Sequence, residues 1–214
     1  MAHRVFLLSP ASCGGRRAEL LFDDRARFEL AQRIRTKPGA PLGEVFTFLS
    51  GLYFRGKLAY ARRFARPPDG VPGILIITPN DGLERPEKNI GLAKLKRYAE
   101  VDIHEDEARY RRPLTKDARD LAKSMGSTTE LVLLGSVASG KYVNILVDIF
   151  ADRVRFPSDF VGRGDMSRGG LMLRCADEVR ELPYVPILGA IRRGVRPPRL
   201  PPKPARRGSN GSPG

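Results

Sequence analysis

The residues with the most chemical potential lie where apolar runs end in small and polar residues. Glu130-Leu-Val-Leu-Leu is followed by Gly135-Ser-Val-Ala-Ser-Gly140-Lys141-Tyr142, and then by an apolar-periodic run to Phe150. A glycine turn between a strand and a helix offers backbone N–H groups to an anion. The spacing matches G-x-x-x-x-G-K, the first seven positions of a phosphate-binding loop. The eighth position is Tyr142, where a nucleotide hydrolase needs Ser or Thr for Mg²⁺. Gly135, Ser136 and Lys141 are therefore candidates for phosphate contact without a complete hydrolysis motif.

Two other strand ends read the same way. Val5–Leu8 runs into Ser9-Pro-Ala-Ser12-Cys13-Gly14-Gly15, and Gly73–Ile77 runs into Thr78-Pro-Asn-Asp81-Gly-Leu. Ser12, Gly14, Gly15 and Thr78 join the binding candidates. Cys13, in a glycine-rich loop, is a candidate nucleophile if backbone N–H groups lower its thiol pKa. His3 and His104 lie far from it in sequence, so no triad spacing supports that role. Cys175 reads as core.

A fourth loop carries Gly162-Arg163-Gly164-Asp165-Met-Ser167-Arg168-Gly-Gly. Arg163 and Arg168 suit a phosphate clamp, with Asp165 free for acid/base or electrostatic work. The plainer reading makes Asp165 or Ser167 a helix cap and leaves the arginines solvated. Tyr53 and Lys57 are four apart and share a face if helical. An aromatic beside a cation suits base stacking with phosphate contact, whereas in the plainer reading Tyr53 and Phe54 are core and Lys57 snorkels to water.

The elements needed to hold these loops alternate. Strands are expected at Val5–Leu8, Gly73–Ile77, Leu131–Leu134 and Asp152–Phe156. Helices are expected over Arg16–Arg35, Leu42–Ala65, Leu114–Ser127, the run to Phe150, and Asp165–Val179. Leu42–Ala65 is interrupted by Gly51 and Gly56, so it is one bent helix or two. Lys88–Glu105 is weakly helical, and residues 180–190 add a short extended segment. Alternation of this kind predicts an α/β fold with a mostly parallel central sheet and helices on both faces.

At 214 residues the chain suits one domain, placed at 1–190, followed by a basic Pro/Arg-rich tail at 191–214 expected to be disordered. Net charge is +14, of which the tail supplies +7. A body that is still basic points to nucleic acid, DNA before RNA. No apolar run is long enough for a membrane span, and the N-terminus is too short in apolar residues for a signal peptide, so a cytoplasmic location is expected. Two cysteines and two histidines, unclustered, predict no metal site, and no cofactor is expected.

Taken in order, Ser-Pro-x-Ser-Cys-Gly-Gly, Gly-Leu-Tyr-Phe-Arg-Gly-Lys, Thr-Pro-Asn-Asp-Gly-Leu and Leu-Gly-Ser-x-Ala-Ser-Gly-Lys-Tyr resemble a bacterial branch of the uracil-DNA-glycosylase-like α/β superfamily. They are also similar to the glycosylase-like domain of archaeal tRNA-guanine transglycosylase relatives. The resemblance spans roughly residues 4–190. It implies a three-layer sandwich and hydrolysis of an N-glycosidic bond after the nucleotide is flipped from the stack. Where that superfamily places an activating Asp or Asn after the first strand, this chain has Ser9 to Gly15. Where it often supplies a late histidine, this chain has Lys141 and Arg163. The resemblance so altered implies a damaged or modified base. On the residues' own chemistry, Asp165 would position water or stabilise the cationic sugar. A non-catalytic nucleic-acid-binding module and, third, a P-loop-like nucleotide enzyme are the alternatives.

Overall fold

A computed structural model describes residues 2–138, 140–198 and 200. The chain order is β1 (Arg4–Leu8), α1 (Arg16–Phe22), α2 (Glu29–Arg33), β2 (Ala40–Pro41), α3 (Leu42–Ser50), α4 (Leu52–Phe64) and β3 (Ile74–Ile77). Then come β4 (Leu83–Glu84), β5 (Asn89–Ile90), α5 (Leu92–Ala99), α6 (Ala108–Ser124) and β6 (Glu130–Leu134). The chain continues through α7 (Gly140–Phe150), β7 (Val154–Pro157), α8 (Asp165–Asp177) and β8 (Tyr184–Pro186). Residues 201–214, most of the predicted disordered tail, lie outside the described residues.

The fold is α/β, with helices around one six-stranded sheet ordered β4-β3-β1-β6-β7-β8. The four central strands are parallel, and the short edge strands β4 and β8 run antiparallel to their neighbours. Val5–Leu8 and Leu131–Leu134 are fully buried, which is why they read as unbroken apolar runs rather than alternating ones. A small ribbon of β2 and β5 stands apart from this sheet. The N-terminal edge of the sheet is closed by ion pairs from Arg4 to Glu130 and Glu181, from Arg66 to Glu181, and from Arg155 to Glu130.

From β1 the chain moves outward to β3, whereas from β6 it moves the other way to β7. Strand order therefore reverses between β1 and β6. In open α/β sheets the crevice beyond the C-terminal ends of such strands is where ligands bind.

Several boundaries differ from expectation. Arg16–Arg35 is two short helices, because Arg35 reaches back to cap them. Its guanidinium donates to the carbonyls of Leu21 in α1, of Asp23 just after it and of Ala31 in α2. Leu42–Ala65 breaks at Gly51, which adopts φ 59° and ψ −129°. Gly56 does not break α4 but meets α8. A Cβ there would lie 2.5 Å from the Gly169 carbonyl oxygen, and one on Gly169 would lie 2.7 Å from that of Leu52. The two backbones thus touch, and that crossing sets the N-terminus of α8 beside Tyr53 and Lys57. The helix expected at Leu114 begins at Ala108, carrying Pro113 inside it, with the Glu107 side chain accepting from Arg109 N at its start.

Candidate active site

A cleft of about 760 Å³ opens at the switch between β1 and β6. Its walls come from the loops after β1, β3 and β6, the end of α3, the start of α4, α5 and the segment after it, the first turn of α7, and the first residue of α8. Among the predicted residues it gathers Ser12, Cys13, Gly14, Tyr53, Ser136, Lys141 and Asp165. To these it adds Ser9, Ser50, Tyr98, Asp102 and Tyr142.

Lys57, a predicted site residue, lies behind Ser9 and outside the cleft lining. The side chain is fully buried, against the expectation that it would snorkel or hold a surface phosphate. Its Nζ lies 2.7 Å from the Ser9 carbonyl oxygen and 2.9 Å from Ser9 Oγ. The rings of Tyr53 and Phe54 lie 4.4 Å and 4.7 Å from the same nitrogen. Burial pushes the Lys57 ammonium down to about 7; Asp165 pulls it back and Arg168 pushes it further down. Tyr53 and Lys57 do share one face, as their spacing predicts, but it is the buried face of α4.

Ser9 is held between the two central strands, its N–H donating to the Leu134 carbonyl. Gly135 makes this closeness possible. A Cβ there would come within 2.7 Å of Ser9 Cβ and 2.9 Å of the Tyr142 hydroxyl. Tyr142 folds back over the loop and donates to the Ser136 carbonyl at 2.9 Å, with the Ser9 hydroxyl also beside it. The eighth position of the phosphate-loop pattern is thus a buried wall of the cleft.

Asp165 opens α8, with Gly164 as the cap, so it is not the N-cap of the plainer reading. Its side chain is 66% exposed and lies 3.6 Å from Arg168 Nη1. The arginine clamp does not assemble. Arg163 donates to the Asp159 carbonyl and to Ser167 Oγ, and Arg168 is buried with Nε and Nη2 on the Phe160 carbonyl. Arg163, Ser167 and Arg168 lie outside the cleft lining, as do Gly15 and Gly135. The reason is local: the loop from Phe160 needs donors for its own carbonyls, and the two guanidinium groups supply them.

Thr78 is fully buried and closes a turn, donating to the Gly82 carbonyl and accepting from Asp81 N. It makes no wall of the cleft. Asp81, the nearest candidate for a metal-binding carboxylate, accepts from Lys94 Nζ and the Tyr98 hydroxyl. Cys13 does line the cleft, but burial pushes its thiol up to about 12, the reverse of the lowering expected from its loop. Cys175 is buried in α8. Among the described residues, no cluster of three or more His, Cys, Asp or Glu could hold a metal ion, and no helix is long and apolar enough to cross a membrane.

Ser9 and Tyr142 carry a signal in the sequence that no single loop shows by itself. A polar residue directly after a fully apolar central strand faces the switch point, and a tyrosine directly after Gly-Lys has a glycine turn to fold across. Tyr98 and Asp102 had no such signal, because they come from a segment between β5 and α6 whose path only packing sets. Comparison of the chain with family models, curated proteins and solved structures finds no match.

Proposed function

We propose that this protein hydrolyses the N-glycosidic bond of a damaged or modified base in DNA, on a uracil-DNA-glycosylase-like three-layer arrangement. The observation that carries the reading is the meeting of the Asp165 carboxylate with the walls formed by Tyr53, Tyr98 and Tyr142 in one cleft at the strand-order reversal. An extruded nucleotide fits a cleft of about 760 Å³. Aromatic walls suit a flat base. The carboxylate is an acceptor for the positive charge that develops on the sugar as the bond to the base lengthens. Water then adds at the anomeric carbon, and the base departs with a proton. Lys141, exposed at the mouth, suits an adjacent phosphate.

The test is an incision assay on oligonucleotides carrying deaminated, alkylated and phage-type modified bases, followed by alkali. Asp165→Asn is expected to lower abasic-site formation by about 10²-fold or more. Absence of abasic sites across the whole panel overturns the reading.

A second reading, binding of nucleic acid without chemistry, has its own observation. A groove of about 570 Å³ between α6 and α7 is lined by Arg111, Arg112, Lys116, Arg119 and Lys123. Asp120 pairs with Lys116 and Lys123, and Asp148 also lines the groove, so five cations there face two carboxylates. From Arg111 to Lys123 the helix rises about 18 Å, enough to follow roughly three phosphates of a strand. Binding that weakens steeply with salt, survives Asp165→Asn and falls when 191–214 is removed favours this reading.

A further inference from the structure

The glycosidic reading leaves the floor of the cleft without a task. Behind Ser9, Lys57 sits fully buried and outside the lining, and among the described residues no carboxylate lies within ion-pair distance of it. A buried ammonium without an ion-pair partner is costly even when hydrogen-bonded, so a fold with only a structural need for a side chain here is better served by an apolar one. Among the described residues its hydrogen bonds are both with Ser9, at the carbonyl oxygen and at Oγ. Ser9 is 5% exposed and lines the cleft. As an ammonium, Nζ donates to both Ser9 oxygens; once it has lost a proton it keeps one N–H for the carbonyl and has a lone pair for the Ser9 hydroxyl. That is the arrangement in which a lysine accepts the proton of a serine nucleophile.

We propose that Ser9 and Lys57 are a nucleophile and general-base pair, and that the cleft transfers an acyl group from an ester or thioester onto Ser9 Oγ. This goes beyond the glycosidic reading, because the reacting atoms are different. In the step, a bond forms from Oγ to the carbonyl carbon while the hydroxyl proton moves to Lys57 Nζ. The tetrahedral adduct then collapses, the bond to the leaving group breaks, and the leaving group takes the proton from Nζ. Water repeats the sequence on the Ser9 ester, releasing the acid and restoring the hydroxyl. Lys141 at the mouth favours a substrate that carries a carboxylate or phosphate away from the reacting carbon.

Several groups set the state of Lys57. The rings of Tyr53 and Phe54 cover it, Asp165 favours its charge and Arg168 opposes it. Burial outweighs these and lowers the amine to about 7, so that it exchanges its proton near neutral pH.

The experiment treats the full-length protein with a fluorophosphonate probe and reads adducts by intact mass and peptide mapping. No nucleic acid is present, so a negative incision panel leaves this test untouched. The expected result is a single adduct on Ser9, formed about tenfold faster at pH 8 than at pH 6 as the amine loses its proton. Labelling disappears in Ser9→Ala and slows at least hundredfold in Lys57→Met. No adduct on Ser9, or an equal rate in folded Lys57→Met, overturns the proposal. Should Lys57→Met fail to fold, a wild-type labelling rate that is flat from pH 6 to pH 8 overturns it equally.

Discussion

Lys57→Met should stabilise this protein more in acid than in base, and the size of the difference follows from the burial of one amine. The gap between 10.5 for an unperturbed lysine and about 7 here corresponds to about 5 kcal/mol. Between those two values the unfolded chain holds a proton on Lys57 that the folded chain does not. Unfolding then takes up protons, so stability rises with pH across this window. The cost of the buried charge is thus fully present below pH 7 and fades as pH climbs toward 10.5. From pH 6 to pH 9 the relief amounts to about 3 kcal/mol. Methionine fills nearly the same volume and carries no charge. Loss of the contacts to Ser9 adds an offset, but that offset does not depend on pH. The advantage of Lys57→Met over wild type should therefore shrink by about 3 kcal/mol from pH 6 to pH 9, seen as roughly 8 °C in the difference of melting temperatures. Urea unfolding followed by tyrosine fluorescence or circular dichroism measures it at each pH. Parallel pH profiles for the two proteins would refute the argument, because they require a lysine with the same pKa folded and unfolded.

Other expectations rest on close contacts and on exposure. Gly56→Ala and Gly169→Ala each drive a methyl into the facing backbone at the α4–α8 crossing, and each should cost about 1–3 kcal/mol in chemical denaturation. A cost below about 0.5 kcal/mol would mean the two helices separate freely. Gly135→Ala presses on Ser9 and Tyr142, so it should slow Ser9 labelling as well as lower stability; unchanged labelling would show that the floor tolerates displacement. Asp165 is mostly exposed, so Asp165→Asn should leave stability within about 0.5 kcal/mol of wild type while affecting base excision. Cys13 and Cys175 are both buried and Cys13 has its thiol raised to about 12, so neither should react with a disulfide reagent at pH 8 until urea is added. One fast thiol in the native protein would contradict that.

Periodicity and loop chemistry were enough to find the central strands, the helices between them and the three strand-end loops. Val5–Leu8 and Leu131–Leu134 announce burial on both faces because every position is apolar. A sheet of such strands joined by helices leaves its C-terminal edge as the place for Ser12, Cys13, Ser136 and Lys141. What local pattern cannot specify is how one segment's donors meet another segment's acceptors. Arg163 and Arg168 look like anion ligands until the loop from Phe160 is seen to need them for its carbonyls. Thr78 looks like a ligand until its turn closes on Gly82. Lys57 looks like a solvated cation on an amphipathic helix. Only the crossing of α4 over α8 at Gly56 and Gly169, together with the close approach of Ser9 to Gly135, removes it from water. Sequence sets the local preference of each residue. The depth at which a charge finally lies, and hence its pKa and chemistry, depends on neighbours far along the chain that only packing brings within reach.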